Sequence, residues 1–205
     1  MIQRDFACSP QDYEMRSPWP VIGMNRKDDW RPLLSLFDAT EVVWIGRTVK
    51  DSAGAESSDE WLASCKRRFR PVSEWLQEQS APGLLTCPSS FTPGVSSRST
   101  ENIALRRYLV VESDTLSKCQ VCAVFKWLEQ FMKLRAIIDT AGKSLHGWFE
   151  MPLPSILEEL KVILPALGCD PAMFTPAQPC RLPRGVRDGQ FQCLVYLDGK
   201  VAHES

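Results

Sequence analysis

The chain has 205 residues, 44% hydrophobic and 24% charged, which suits one large domain or two small lobes with a real core and excludes a disordered chain. With 24 Lys plus Arg against 25 Asp plus Glu the net charge is −1, too low for a protein that coats nucleic acid by bulk phosphate neutralisation. An enzyme that grips nucleic acid in one groove and keeps carboxylates elsewhere fits that balance.

Residues 1–35, with prolines at 10, 18, 20 and 32 and tryptophans at 19 and 30, are expected to form an irregular wrapping segment. Glu41-Val-Val-Trp-Ile-Gly46 predicts a buried strand ended by glycine. Residues 51–59 are rich in Ser, Ala and Gly and predict an exposed loop. Across 60–79, Trp61, Leu62, Cys65, Phe69, Val72, Trp75 and Leu76 recur at helical spacing, with Pro71 splitting the stretch into two helices. Leu84 and Leu85 predict a short strand, and 88–102 a polar loop holding Ser97-Arg98-Ser99. The first half thus reads as a small mixed αβ lobe.

The second half has a cleaner rhythm. Strands are predicted over 108–111, 134–139, 145–149 and 191–197. An amphipathic helix spans 117–133, and a second spans 154–167, with Gly168 stopping it. The order βαββαβ is that of a split βαβ, ferredoxin-like module.

The first ten residues are polar and lack the apolar stretch of a secretory signal, and no apolar run approaches membrane-spanning length. The expected setting is cytoplasmic, with the eight cysteines as reduced thiols. Cys119 and Cys122 form the one close pair. Without a second pair nearby they read as small buried hydrophobes on one helix face rather than as zinc ligands.

Three clusters carry chemistry. The first is the strand Arg107-Tyr-Leu-Val-Val-Glu-Ser-Asp114. Glu112 and Asp114, two apart, point to one face. Two such carboxylates suit a hard divalent cation, although acids at strand ends are most often solvated turn residues. The second is Ile138-Asp-Thr-Ala-Gly-Lys-Ser-Leu-His-Gly-Trp148. Lys143 supplies a point charge, and Ser144 and His146 supply donors on one strand face, a set that suits a polyphosphate. A P-loop is excluded because Ile137 stands where its first glycine belongs and no helix follows. A lone His146 would read as a satisfied core histidine. The third cluster is Gly168-Cys-Asp170 followed by Arg181, Arg184 and Arg187. Those arginines suit phosphates or base edges, or simply an exposed basic loop.

Together, and in this order, the clusters resemble the motifs of the archaeo-eukaryotic primase superfamily. They are most similar to bacterial and phage-type primase-polymerases, whose stretches read like GGKS-x-H-x-W, then an Asp, then RLPG. The resemblance covers about residues 91–197; residues 1–90 match only loosely. Glu112-Ser-Asp114 corresponds to the acid-x-acid motif, Ser144-Leu-His146 to Ser-x-His, and Asp170 to the single third acid. Asp188 and Asp198 are rivals for that third place. Arg98 and Gln190 also look like that group. The chain departs from the pattern at Glu112, where many relatives have Asp, at Ala141, where glycine is common, and at Arg184, which precedes Gly185.

The resemblance implies an α+β primase-polymerase catalytic domain. A small N-terminal αβ lobe (1–104) would pack on an RRM-like, split βαβ lobe (105–205). It implies a DNA primase or DNA polymerase, a nucleotidyltransferase that extends a 3′-hydroxyl on a template. Glu112, Asp114 and Asp170 would hold two Mg²⁺ or Mn²⁺ ions, and Lys143, Ser144, His146, Arg181 and Arg98 would bind the nucleotide. Expected partners are nucleoside triphosphates, a single-stranded or primed DNA template, and a helicase domain or protein, but no membrane. The alternative is a replication initiator or a single-stranded nucleic-acid-binding module on the same fold.

Overall fold

The computed structural model describes residues 2–19, 30–46, 65–80, 83–183, 186–187 and 189–198. The predicted loop at 51–59, the start of the predicted helix with Trp61 and Leu62, and Arg184 and Asp188 lie outside them, as does the side chain of Arg187.

Strands follow the chain as β1 (Val42–Gly46), β2 (Phe69–Pro71), β3 (Leu85–Thr86), β4 (Ser89–Phe91), β5 (Ile103–Arg106), β6 (Tyr108–Val111), β7 (Leu134–Asp139), β8 (Leu145–Glu150), β9 (Cys180–Arg181), β10 (Val186–Arg187), β11 (Gln190–Phe191) and β12 (Cys193–Leu197). Helices are α1 (Ile2–Asp5), α2 (Pro10–Arg16), α3 (Arg31–Leu34), α4 (Val72–Trp75), α5 (Lys118–Leu128) and α6 (Pro154–Ala166). The protein is a mixed α+β chain with two antiparallel sheets. One runs β5-β4-β1-β3-β9 with β2 also paired to β1, and the other runs β12-β7-β8-β6.

Several local expectations are corrected. The helical spacing through Phe69 is overridden: Phe69, Arg70 and Pro71 pair with Trp44, Val43 and Val42 as a strand, and only Val72–Trp75 is helical. The gain is edge-on packing of Phe69 against Phe91 and of Trp75 against Trp30. The polar loop at 88–102 contains a buried strand, β4, whose Ser89 hydroxyl donates to the Pro176 carbonyl at 2.9 Å. The segment 1–35 is not wholly irregular. It carries α2, capped by Ser9 and Asp12 in a reciprocal box, and α3.

Helix α5 starts where its sequence says it should. Ser117 accepts from the Gln120 amide, and Gln120 accepts from the Ser117 amide at 2.8 Å. It ends at Leu128 rather than Lys133. Of its two cysteines only Cys122 is buried; Cys119 is exposed, so they share no buried face, and all eight cysteines are free. The last predicted strand is split: Gln190–Phe191 pairs with Val186–Arg187, and only Cys193–Leu197 joins β7. Helix α6 opens on Pro154 and ends before Gly168, whose φ of +96° is the left-handed stop a glycine permits.

The four-stranded sheet is buried on both faces. Leu109, Val111, Ile137, Leu145 and Phe149 face Val121, Cys122, Phe125 and Leu128 of α5 and Leu160 and Leu164 of α6. On the other face Val110, Ala136, Ile138, Trp148 and Leu194 pack with Trp30, Leu33, Val43, Ile45 and Trp75 of the N-terminal part. Strand β9 crosses back to the first sheet, so residues 180–181 pair with 85–86. Among the described residues no helix is long and apolar enough to cross a membrane.

Strand β8 approaches α5 so closely at Gly147 that an added Cβ would lie 2.6 Å from the Phe125 ring. Gly147→Ala is therefore expected to destabilise the fold by about 1–3 kcal/mol through overpacking. Urea unfolding checks it, and an unchanged midpoint would mean that strand and ring are not in contact in solution.

Candidate functional site

A sheet buried on both faces has little room for polar side chains, and here they gather at one end of one face. Val111 pairs with Gly147 and Asp139 with Leu145. Continuing those registers sets Glu112, just past β6, beside His146 of β8, on the same face as Trp148.

The first two clusters meet there. His146 Nε2 lies 2.7 Å from Glu112 Oε2, and the Ser144 hydroxyl donates a longer bond, 3.4 Å, to the same oxygen. The third cluster arrives by two routes. The Asp170 amide donates to the Glu112 carbonyl at 2.9 Å. Strand β9 brings the Arg181 amide to His146 Nδ1, to which it donates at 3.3 Å. Because Nδ1 accepts, the ring's proton in this geometry is on Nε2, which donates to Glu112.

Ser113, between the two acids, points the other way and is fully buried. Its hydroxyl donates to the Gly168 carbonyl at 2.5 Å. Ser113 thus ties the strand end to the segment carrying Asp170.

Other predicted residues stand differently. Asp114 and Lys143 are exposed. The Asp170 carboxylate caps the short 3₁₀ turn Pro171–Phe174, accepting from the Ala172 amide at 2.8 Å. Arg98 stacks on the Trp44 ring, 4.8 Å from its centroid, and donates to the Ala177 carbonyl. Asp198, a rival for the third acid, pairs with Lys133 at 3.1 Å. Glu112, Asp114 and Asp170 supply the oxygen donors that Mg²⁺ or Mn²⁺ prefers. Their placement does not fit such an ion: among the described residues no group of three His, Cys, Asp or Glu side chains is set to hold a metal.

The hairpin linking β7 to β8 is shaped by its own side chains. Asp139 accepts from the Ala141 amide at 3.0 Å and pairs with Lys118 at 2.6 Å. Thr140 donates to the Ser144 carbonyl at 2.8 Å. Ala141 has φ +58°, the left-handed conformation that glycine adopts without strain.

Sequence reasoning quoted Thr140 within the second cluster without giving it a role and passed over Gln192; both are buried in the same polar end. No motif marks Gln192; the signal was a polar residue inside a predicted strand. The chain matches no protein-family model, no curated protein and no solved structure.

Burial pushes the Glu112 carboxyl up, but the hydrogen bonds from His146 and the Ser144 hydroxyl and the nearby Arg181 guanidinium together hold it below its ordinary value of 4.5. A depressed folded-state value means that the unfolded chain takes up this proton first as pH falls. The stabilisation is then complete above about pH 4.5 and is lost as pH drops through the folded-state value. Glu112→Gln is expected to flatten the fall in stability below that pH. Urea unfolding over a pH series checks it, and an unchanged slope would show that Glu112 is not so paired.

Proposed function

We propose that the chain is a template-directed nucleotidyltransferase, the catalytic domain of a primase-polymerase of the archaeo-eukaryotic primase type. One observation carries the reading. Residues singled out in three separate stretches, Glu112, Ser144 with His146, and Arg181, come together at one end of one sheet face. Solvated turn acids and an exposed basic loop had no reason to meet at a buried histidine. The chain order of β6, α5, β7, β8, α6 and β12 is that of a split βαβ module, with β8 between β6 and β7, but β12 joins the sheet at β7, where an RRM-like sheet would place it beside β6.

In this reading Lys143 and Arg181 attract the triphosphate of the incoming nucleotide. Ser144 and His146 sit between them and Glu112, where they donate to oxygen. The Arg181 amide and Glu112 hold the imidazole from both sides, so its direction is set before substrate arrives. Glu112 and Asp114 present negative charge on the side where a primer 3′-hydroxyl and its template would approach. The two Mg²⁺ or Mn²⁺ ions that this chemistry uses belong to the proposal. The carboxylates as placed form no pocket for them, so the roles given are those of the chain's own groups. Arg98, held by Trp44 and Ala177, is assigned to shaping the neighbouring loop rather than to the nucleotide.

A second reading is a single-stranded nucleic-acid-binding module or replication initiator with little polymerase activity. That no three-ligand group stands among the described residues favours it. A primed-template extension assay in Mg²⁺ and in Mn²⁺ separates the two. Wild-type chain is expected to add nucleotides, and Glu112→Ala with Asp114→Ala to lose at least about a hundredfold in rate while keeping the far-ultraviolet circular dichroism of the fold. Full extension by the folded double variant would end the polymerase reading, and template binding without extension by wild type would select the binding module.

A further inference from the structure

Gln192 has no place in the motifs, yet it breaks the rules of its surroundings more than any of them. It is fully buried, and neither its Oε1 nor its Nε2 has a hydrogen-bond partner. Other buried groups left unpartnered, such as Trp30, Trp148 and Arg106, each lack a partner at a single nitrogen; Gln192 lacks one at both a donor and an acceptor. A buried amide without partners opposes folding, and a residue that breaks a local rule without structural gain is commonly functional.

Its position says what it serves. Cys193 pairs with Asp139, and Asp139 with Leu145. One step further along both registers aligns Gln192, Thr140 and Ser144 in a row across the sheet, on the face that carries His146. Thr140 and Ser144 spend their hydroxyls on neighbours within that end of the sheet. Gln192 sits on the edge strand at the far side from Glu112. With adjacent strands about 4.8 Å apart, three spacings separate those two edge strands by about 14 Å. That is on the order of the length of an extended nucleotide. The charged groups Glu112 and Arg181 are toward one end of this span, and the uncharged Gln192 is at the other.

We propose that Gln192 is a binding residue for the nucleobase of the bound nucleotide, its amide donating to and accepting from adjacent groups on the base edge. The assignment rests on the nucleotide reading given above. A side-chain amide offers one acceptor and two donors, the pair by which glutamine reads an adenine edge.

The test is calorimetric titration of the whole chain with ATP and, separately, with inorganic tripolyphosphate, for wild type, Gln192→Met and Gln192→Glu, alongside thermal melting. Gln192→Met is expected to melt at or above the wild-type temperature, because it removes a buried amide without partners. It is expected to bind ATP about ten- to a hundredfold more weakly and tripolyphosphate unchanged. Gln192→Glu, which keeps the shape but loses the donor, should also weaken ATP alone. Wild-type affinity for ATP in both variants overturns the role of Gln192 and leaves the nucleotide reading standing. A lower melting temperature for Gln192→Met also overturns it, since the amide would then be serving the fold. Wild-type chain that binds neither ligand sinks the nucleotide reading itself, and Gln192's role with it.

Discussion

The four-stranded sheet is closed on both faces, by α5 and α6 on one side and by the N-terminal residues and first sheet on the other. That constraint governs the rest. A side chain on such a sheet has no solvent to satisfy it, so each polar atom must find a partner in the protein or carry a cost of roughly 1–3 kcal/mol. Over most of the inter-sheet face the chain avoids the issue with Val110, Ala136, Ile138 and Trp148. At the end holding Glu112 and His146 it does the opposite.

The partners there come from different segments. His146 lies between a carboxylate from its own sheet and a backbone amide from β9 of the other. Its orientation therefore depends on how the two sheets pack. Glu112 is held by its carbonyl as well as its carboxylate, through the Asp170 amide, while Ser113 reaches the Gly168 carbonyl. These two bonds fix the end of α6 against the end of β6. A change in the apolar packing under Trp148 would thus reach the polar end through the strand itself, without touching a polar residue.

Much of this was legible in sequence because of period. Tyr108–Val111 and Leu134–Asp139 have the predicted bounds, since apolar runs between polar turns leave few alternatives. That Ser144 and His146 share a face followed from strand parity; that Glu112 meets them did not. Phe69 was misread because helical spacing of aromatics over a short stretch cannot be told from a strand that β1 recruits. Ser89 and Ser90 were misread because serine usually marks loops, and only the Pro176 carbonyl, far along the chain, explains Ser89's burial. What the spacing did not carry was the use made of each acid. Asp170 reads as a free carboxylate in sequence, and in space it caps a turn.

The choice of glutamate at 112 follows from these partners. The backbone at this position is committed, its carbonyl accepting from Asp170 at 2.9 Å. The side chain must leave that fixed point and still reach an imidazole nitrogen at 2.7 Å and a hydroxyl on the next strand. An aspartate, one methylene shorter, would start from the same carbonyl and fall short of the imidazole unless the strand end moved and released Asp170. The bond that places the Asp170 segment and the bond that orients the histidine therefore compete for the same backbone, and the extra methylene of Glu112 lets both be made.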